Sequence, residues 1–321
     1  MKKLISILLT LVLIFSLAGC GVNVKEVKAN VYGIAGPTGI GLANLMKDAK
    51  ADGGSLDYNI QLAASNDEIV AKITNKEADI AAVATNLAST LYNKTNGGIK
   101  VLAVNTLGVL NVVAKGVEVK SIADLKGKTV YSTGQGANPE YILNKILEAN
   151  NLKVGEDVKV EFVSQPAELV AKIVPAKEAV VIAPQPVATT ITVQDKAAQI
   201  VINLNDEWNK ISDKKLVMGC IIARSEYIEQ NPEAIEAFLK DYEASIKAVS
   251  EDIDGTAAAC EEFKIIPKAA VAKKAIPYCN IVFEDDGEMK TDLLAYLEFL
   301  FGANPKSIGG KLPADDFYYD R

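Results

Sequence analysis

The sequence contains no histidine, only two arginines and a single tryptophan among its 321 residues. Without histidine the chain cannot build a Ser-His-Asp or Cys-His catalytic system, and it lacks the side chain best suited to proton transfer near neutral pH. Metal sites built on histidine are excluded as well. No paired-carboxylate or activated-lysine pattern replaces histidine. The sequence therefore predicts no catalytic residue, no metal and no cofactor.

Cysteine is also scarce, with Cys20 near the N-terminus followed by Cys220, Cys260 and Cys279. Their spacing matches neither a metal site nor a disulfide framework. Buried free thiols and a Cys260–Cys279 bridge outside the cell both fit the sequence, and we expect the thiols. The formal net charge of −7 argues against nucleic acid as a partner.

A repeated segment suggests that the chain contains two similar lobes. Residues 68–73 read Glu-Ile-Val-Ala-Lys-Ile, and residues 168–173 read Glu-Leu-Val-Ala-Lys-Ile. Residues 76–80 and 177–181 are also alike, in the same order along the chain. The spacing is about that of one small domain, although chance similarity between two ordinary helices is the alternative. Two similar lobes create a cleft between them, which is a common position for a small-ligand site.

The N-terminus predicts export and attachment to a membrane. Two lysines precede an apolar run over 4–15, which is too short for a comfortable membrane span and is typical of a signal peptide, here 1–19. Residues 17–20 read Leu-Ala-Gly-Cys and resemble the lipobox of bacterial lipoproteins, although a plain signal peptide with an incidental cysteine is the alternative. The resemblance implies cleavage before Cys20 and acylation of that cysteine. The mature protein would then be extracytoplasmic and lipid-anchored to the bacterial cell membrane, with 20–28 as a tether.

Hydrophobic patterns predict an α/β protein with mostly parallel sheets and helices on both faces. The predicted strands are 29–34, 57–62, 79–84, 99–105, 110–114, 128–131, 158–162, 179–183, 199–203 and 216–223. The predicted helices include 40–50, 65–75, a helix from 85, 139–149, 166–174, a long helix from 231, and 289–301. Asn138 is expected to cap the helix that starts at Pro139. The aromatic tail 312–319 is expected to pack against a lobe.

Two of the predicted strands, 110–114 and 216–223, are interpreted as crossings between the lobes. Lobe one then comprises 29–110 and 216–321 and is discontinuous, whereas lobe two comprises 111–215. Paired crossings favour a hinge between the lobes.

Several segments together resemble one family of proteins. Residues 36–39 read Gly-Pro-Thr-Gly, residues 75–81 read Asn-Lys-Glu-Ala-Asp-Ile-Ala, and residues 121–130 read Ser-Ile-Ala-Asp-Leu-Lys-Gly-Lys-Thr-Val. These patterns resemble the type II periplasmic-binding-protein fold, in the nitrate-, sulfonate- and taurine-type branch of the substrate-binding lipoproteins of ABC importers. That branch also contains binders of thiamine precursors. Family members often carry an acidic residue and an aromatic residue where residues 180–186 read Val-Val-Ile-Ala-Pro-Gln-Pro, so the ligand stays open.

The resemblance implies capture of a small organic solute or anion in the cleft by closure of the lobes. The protein would act as a monomer and deliver its ligand to an ABC permease and its ATPase. A non-transport sensor lipoprotein is the alternative. An enzyme similar to thiamine-pyrimidine synthase is a weaker alternative, because that family is understood to consume an active-site histidine and this chain has none.

Candidate site residues follow from the same resemblance and from a general rule. In open α/β sheets, ligands bind outside the carboxyl ends of the strands. The candidates are Tyr32, Pro37, Thr38, Gly39, Ser65, Asn66, Thr85, Asn86, Asn105, Thr106, Ser132, Thr133, Gln135, Gly136, Ala137, Pro184 and Gln185. Neither Arg224 nor Arg321 lies in a predicted cleft loop, so no arginine clamp on an anion is expected. An anion held by N–H groups and a neutral metabolite remain equally compatible with the sequence. Tyr32 is the aromatic candidate for stacking, whereas Trp208 is expected in the core or on the surface rather than at the cleft rim.

Overall fold

A computed structural model of the chain describes residues 23–321. The predicted signal peptide, the lipobox and Cys20 lie outside the described residues. Within 23–321, no helix combines the length and the apolar character needed to cross a membrane.

Strands and helices alternate through most of the chain. The strands are β1 (Lys28–Ile34), β2 (Asp57–Ala63), β3 (Ile80–Ala84), β4 (Ile99–Thr106), β5 (Leu110–Lys115), β6 (Thr129–Ser132), β7 (Lys159–Phe162), β8 (Ala179–Pro184), β9 (Ala198–Asn203), β10 (Gly219–Arg224) and β11 (Ile281–Glu284). The helices are α1 (Pro37–Ile40), α2 (Ala43–Lys50), α3 (Asn66–Thr74), α4 (Thr85–Thr95), α5 (Asn138–Ala149), α6 (Pro166–Ile173), α7 (Val187–Gln194), α8 (Leu204–Asn209), α9 (Ser225–Gln230), α10 (Pro232–Glu251), α11 (Ile253–Glu262), α12 (Ala269–Ala275) and α13 (Asp286–Ala303). Short 3-10 turns lie at Val24–Glu26, Ile122–Leu125, Ile276–Tyr278, Pro305–Ile308 and Asp315–Phe317.

The strands of the described chain form two sheets with nearly the same plan. Their orders are β11-β4-β10-β3-β1-β2 and β7-β6-β8-β5-β9. In the first sheet β1 pairs in parallel with β2 and β3, and β10 runs antiparallel between β3 and β4. In the second sheet β6 pairs in parallel with β7 and β8, and β5 runs antiparallel between β8 and β9. Apart from the additional edge strand β11, the two orders coincide when β1 is matched with β6 and β10 with β5.

The repeated sequence therefore corresponds to a repeated fold. Residues 68–73 lie in α3 and residues 168–173 lie in α6, and these helices precede the equivalent strands β3 and β8. The pattern of buried and exposed positions over 81–90 is the same as that over 181–190. Both stretches contain a central strand that is covered on its two faces, as expected of parallel strands flanked by helices. The predicted α/β class is confirmed.

Helix α13 contacts both sheet units, since it packs against β4 on one side and α5 on the other. The Phe299 ring of α13 lies 4.8 Å from the Trp208 ring in an edge-on arrangement. Trp208 is buried, and its Nε1 donates a hydrogen bond to the Lys214 carbonyl at 2.7 Å. Trp208 is thus a core residue, as expected. The aromatic tail is also packed, because Phe317 is buried with its ring 5.1 Å from that of Tyr92.

Local geometry differs from the sequence prediction at three places. The predicted helix 40–50 is divided, since α1 ends at Ile40 and α2 begins at Ala43. The intervening Gly41 packs closely on α10, where a Cβ would lie 2.4 Å from the Tyr242 hydroxyl. Asn138 is the first residue of α5, and Ala137 is the residue that precedes the helix. Strand β11 was not predicted. It follows Asn280, whose left-handed φ of 46° ends the preceding 3-10 turn abruptly.

The three cysteines of the described chain, Cys220, Cys260 and Cys279, are buried free thiols. Burial raises the pKa of Cys260 to about 12. The expectation of thiols rather than a Cys260–Cys279 bridge is confirmed.

Candidate functional site

The carboxyl ends of the parallel strands in the two sheets are joined by two crossing segments. Residues 107–109 carry the chain from the end of β4 to the start of β5, and residues 204–218 carry it from the end of β9 to the start of β10. Strand β5 starts opposite the end of β8, where Leu110 pairs with Pro184, and β10 likewise starts opposite the end of β3. Both crossings therefore connect the same two edges. We call these the facing edges, and a ligand between them would meet strand ends and helix N-termini of both sheets.

The same backbone hydrogen bond is present at both facing edges. Thr85 donates its N–H to the Met218 carbonyl at 3.2 Å, and Gln185 donates its N–H to the Val109 carbonyl at 2.9 Å. Each acceptor is the last residue of a crossing segment. Thr85 and Gln185 are 0% and 1% exposed. These two predicted site residues thus occupy equivalent positions in the two halves of the fold.

A hydrogen-bonded cluster at the first edge unites three of the predicted site residues. Asn105 Nδ2 donates to the Thr38 carbonyl at 3.1 Å and to the Tyr242 hydroxyl at 3.0 Å. Thr106 Oγ1 donates to Asn105 Oδ1 at 2.9 Å. Gly219 permits this close approach, because a Cβ there would lie 2.4 Å from Thr38 Cγ2 and 2.6 Å from Asn105 Oδ1. The cluster fixes the loop that follows β1 against the end of β4.

Four buried side chains at the facing edges have a polar atom without a hydrogen-bond partner among residues 23–321. These atoms are Thr85 Oγ1, Asn111 Oδ1, Asn138 Oδ1 and Gln185 Nε2. An unpaired buried polar group costs about 1–3 kcal/mol, so such groups normally find partners in a folded protein. Four other buried atoms without a partner lie elsewhere in the described chain: Asn93 Oδ1, Glu284 Oε2, Tyr296 Oη and Tyr318 Oη. The four at the facing edges come from both sheets, and they are the ones that a molecule bound between the two edges would meet.

Sequence reasoning missed Asn111 as a site residue and treated Asn138 only as a helix cap. Asn111 is the second residue of β5, is 1% exposed, and donates its Nδ2 to the Val109 carbonyl at 3.0 Å. A polar residue within the apolar run 109–114 was the available signal, because a strand buried on both faces rarely carries an amide without a reason.

Three helix N-termini at the facing edges already hold carboxylates from their own first turns. Glu68 of α3, Glu140 of α5 and Glu168 of α6 each accept a hydrogen bond from a backbone N–H at or before the helix start, at 2.8, 2.5 and 2.9 Å respectively. These carboxylates place negative charge beside the helix N-termini, which disfavours binding of an anion there.

Both arginines lie away from the facing edges, as the sequence predicts. Arg224 ends β10 at the opposite side of the sheet, where its guanidinium donates to Asp79 Oδ1 at 2.7 Å. Arg321 pairs with Glu236 and Asp285 at 2.7 and 2.8 Å. No arginine clamp on an anion is formed within the described residues at these edges.

The remaining predicted site residues differ in their exposure. Ser132 and Thr133 are buried at the end of β6, and Ser132 Oγ donates to the Thr133 carbonyl at 3.2 Å. Tyr32 is 7% exposed, with Lys72 Nζ 5.9 Å from its ring centroid, so its ring offers little free surface for stacking on a ligand. The exposed residues are Ser65, Asn66, Gln135 and Gly136. Pro37, Asn86, Ala137 and Pro184 are half-buried in the same loops, and Gly39 is buried.

Two other features lie apart from the predicted site residues. Glu284, Glu288 and Asp292 bring three carboxylates together, but Lys215 Nζ lies 2.8, 2.7 and 2.9 Å from them and fills the position that a metal ion would take. A surface groove of about 1040 Å³ lies between α5 and α13 and contains none of the predicted site residues.

Comparisons with known proteins assign this arrangement to a known fold. Residues 100–254 match the model of a family described as NMT1/THI5 like. An ABC transporter protein of Parabacteroides distasonis superposes with a TM-score of 0.78 at 21% identity, covering 92% of this chain and 99% of that chain. The periplasmic aliphatic sulphonate binding protein of Escherichia coli gives a TM-score of 0.69 at 14% identity, covering 89% of this chain and 92% of that chain. The fold is that of a two-lobed periplasmic binding protein.

A further relative in structure is the periplasmic nitrate-binding protein of Synechocystis, with a TM-score of 0.59 at 15% identity, covering 88% of this chain and 84% of that chain. No curated protein sequence matches the chain. The resemblance to periplasmic binding proteins predicted from the sequence is therefore confirmed at the level of fold. We call the facing edge of the sheet that contains β1 the first wall, and that of the sheet that contains β6 the second wall.

Proposed function

We propose that the protein is the solute-binding component of an ABC importer and captures one small solute between the facing edges. The observation that carries the proposal is the group of buried, unpaired side-chain atoms of Thr85, Asn111, Asn138 and Gln185 on both walls. The structural relatives support it, since they include an ABC transporter protein and binding proteins for sulfonates and nitrate. The protein has no catalytic role in this proposal.

The mechanism proposed is closure of the two lobes over the solute. Residues 107–109 form the shorter crossing, and Asn280 bonds to its first two residues. The Leu107 N–H donates to the Asn280 carbonyl at 3.0 Å, and Asn280 Nδ2 donates to the Gly108 carbonyl. Such short, anchored connections concentrate rotation in a few backbone bonds. A solute that bonds both walls has more contacts in the closed state and shifts the population toward it.

The first test is to identify the bound solute. A form that begins at residue 23 is purified, unfolded to release small molecules, and the released fraction is analysed by mass spectrometry. The refolded protein is then titrated calorimetrically with each released compound. We expect one compound to bind with a stoichiometry of one per chain. The proposal fails if no released compound and no member of a broad metabolite screen binds.

The second test examines the proposed walls by single substitutions. Thr38→Ala and Ser132→Ala are expected to weaken binding of the released compound by about threefold to tenfold, the value of one ordinary hydrogen bond, with little change in melting temperature. Thr74→Ala is the matched control, because this exposed hydroxyl bonds only to the Val70 carbonyl of its own helix. Unchanged affinity in both wall variants would count against these loops as part of the site.

We also infer that Cys20 is the lipid-carrying residue and that the mature protein is a monomer anchored outside the cell beside its permease and ATPase. The lipobox-like sequence at 17–20 supports this anchoring. Expression of Cys20→Ser is expected to give protein that is released into the medium or retains its signal peptide. Continued metabolic labelling of that variant with a radioactive fatty acid would contradict the assignment.

A further inference from the structure

Two buried amides on the second wall have their orientations fixed by the protein. Asn111 Nδ2 donates to the Val109 carbonyl at 3.0 Å, so Oδ1 is the atom left without a partner. Gln185 Oε1 accepts from both the N–H and the hydroxyl of Thr189, at 3.3 and 2.8 Å, so Nε2 is the atom left without a partner. The wall therefore offers one hydrogen-bond acceptor, from Asn111, and one donor group, from Gln185.

Asn111 and Gln185 both donate a hydrogen bond to the same backbone carbonyl, that of Val109. The Gln185 N–H bonds to the Val109 oxygen at 2.9 Å, and the same oxygen accepts from the Asn111 side chain. Asn111 lies on β5, and Gln185 directly follows the neighbouring strand β8, in which Ala183 pairs with Asn111. A small molecule that meets both free atoms must present both a donor and an acceptor.

This pairing excludes a simple oxyanion as the occupant that completes the wall. A carboxylate, nitrate or sulfonate has acceptors only, so it could satisfy Gln185 Nε2 but would leave Asn111 Oδ1 unpaired or repel it. The surrounding charge agrees with this conclusion. Glu68, Glu140 and Glu168 occupy the helix N-termini, and no arginine reaches the facing edges in the described chain.

We propose that the cleft selects a neutral solute with an amide-type edge, in which an N–H donor bonds to Asn111 Oδ1 and a neighbouring carbonyl accepts from Gln185 Nε2. This inference rests on the proposed solute-binding function and defines the chemical class of the solute. A ligand without this edge would leave one of the two buried polar groups unpaired, so the site should discriminate strongly against it.

Matched pairs of compounds test the inference on the unaltered protein. Nicotinamide and nicotinate, and benzamide and benzoate, have the same ring and differ in an amide or a carboxylate. The melting temperature of the protein is measured with each probe at up to about 10 mM. A probe whose dissociation constant is a hundredfold lower than this would stabilise the folded protein by about 2.7 kcal/mol. We expect at least one amide to raise the melting temperature and its carboxylate partner to have no effect. The inference is wrong if neither amide has an effect or if a carboxylate is as effective as its amide.

The substitution Gln185→Glu tests the donor directly. A carboxylate oxygen still accepts the two bonds from Thr189, but the other oxygen replaces the N–H donors with lone pairs. We expect the amide probe that binds best to lose at least about tenfold in affinity. Gln194→Glu, at the exposed end of α7, the helix that contains Thr189, should leave the affinity unchanged. Equal loss in both variants, or no loss in either, would overturn the assignment of Gln185.

The outcomes separate this inference from the proposed function. If the compound released from the protein binds one per chain but is an anion, the solute-binding function stands and the amide inference is overturned. If neither the probes nor any released compound binds, the solute-binding function itself fails.

Discussion

Substitution of Lys215 by methionine should destabilise the protein in a pH-dependent way. Lys215 lies in the second crossing segment, and its ammonium group bonds to Glu284, Glu288 and Asp292 at 2.8, 2.7 and 2.9 Å. Burial alone would lower the pKa of Lys215, but the hydrogen bonds to the three carboxylates together raise it. Glu284 is 8% exposed, and burial raises the pKa of its carboxyl despite the opposing effect of Lys215. Removal of Lys215 leaves this buried carboxylate beside two others.

The magnitude follows from the burial of the group. Removing one partner of a fully buried ion pair costs about 3–5 kcal/mol. The Lys215 side chain is 36% exposed, so solvent screening reduces this to about 2 kcal/mol. For a chain of about 300 folded residues we expect a decrease of about 3 °C in melting temperature at pH 7.5, measured by differential scanning fluorimetry.

The effect of pH has a definite sign. A carboxyl whose pKa is raised by folding contributes its full stability at low pH, where it is protonated in both states, and loses that contribution as pH rises through its folded pKa. The deficit of Lys215→Met should therefore be small below about pH 4.3, the ordinary pKa of a glutamate, and should grow as the pH rises above it. Adding Glu284→Gln should restore most of the loss. Lys247→Met is the control, because its pair with Glu251 at 3.6 Å is exposed. A deficit that is independent of pH, or as large in the control, would refute the electrostatic reasoning.

Three further outcomes are expected. Gly219→Ala should lower the free energy of unfolding by about 1–3 kcal/mol in a denaturant titration, because the new methyl would lie 2.4 Å from Thr38 Cγ2. Gly302→Ala is the control, since a methyl there meets no neighbouring atom and should not destabilise the protein. Arg224→Met should destabilise by about 3 kcal/mol, because the buried Asp79 carboxylate keeps its bonds from Asn30 but loses its counter-ion. The affinity for the released solute should not change, because Arg224 lies at the opposite side of the sheet from the facing edge. The three buried thiols should react with a thiol reagent after unfolding and not before; rapid reaction of the native protein would show that the core is open.

Much of the fold follows from local sequence signals. Strand–helix alternation and the repeat of 68–73 at 168–173 predicted two similar α/β units, because hydrophobic periodicity records which faces are covered. Ser121 and Asp124, in the family-like segment 121–130, form a capping box at the 3-10 turn Ile122–Leu125. Strand β11 was missed because a four-residue edge strand between helices has no periodicity of its own.

The site was less predictable because its chemistry depends on pairing between distant segments. Thr85 and Gln185 were selected as residues that follow strands, and both lie at the facing edges. The importance of Asn111 depends on its hydrogen bond to the Val109 carbonyl. The N–H of Gln185, which follows the neighbouring strand β8, bonds to the same carbonyl. Tyr32 lies in a run that is buried on both faces, so the sequence could not show that its ring is buried beside Lys72.

Small-angle X-ray scattering of the protein with and without its released solute tests the central claim most directly. We predict that the radius of gyration decreases when the solute is added and that the change saturates at one solute per chain. A solute that binds without any change in the scattering curve would contradict capture by closure of the two lobes.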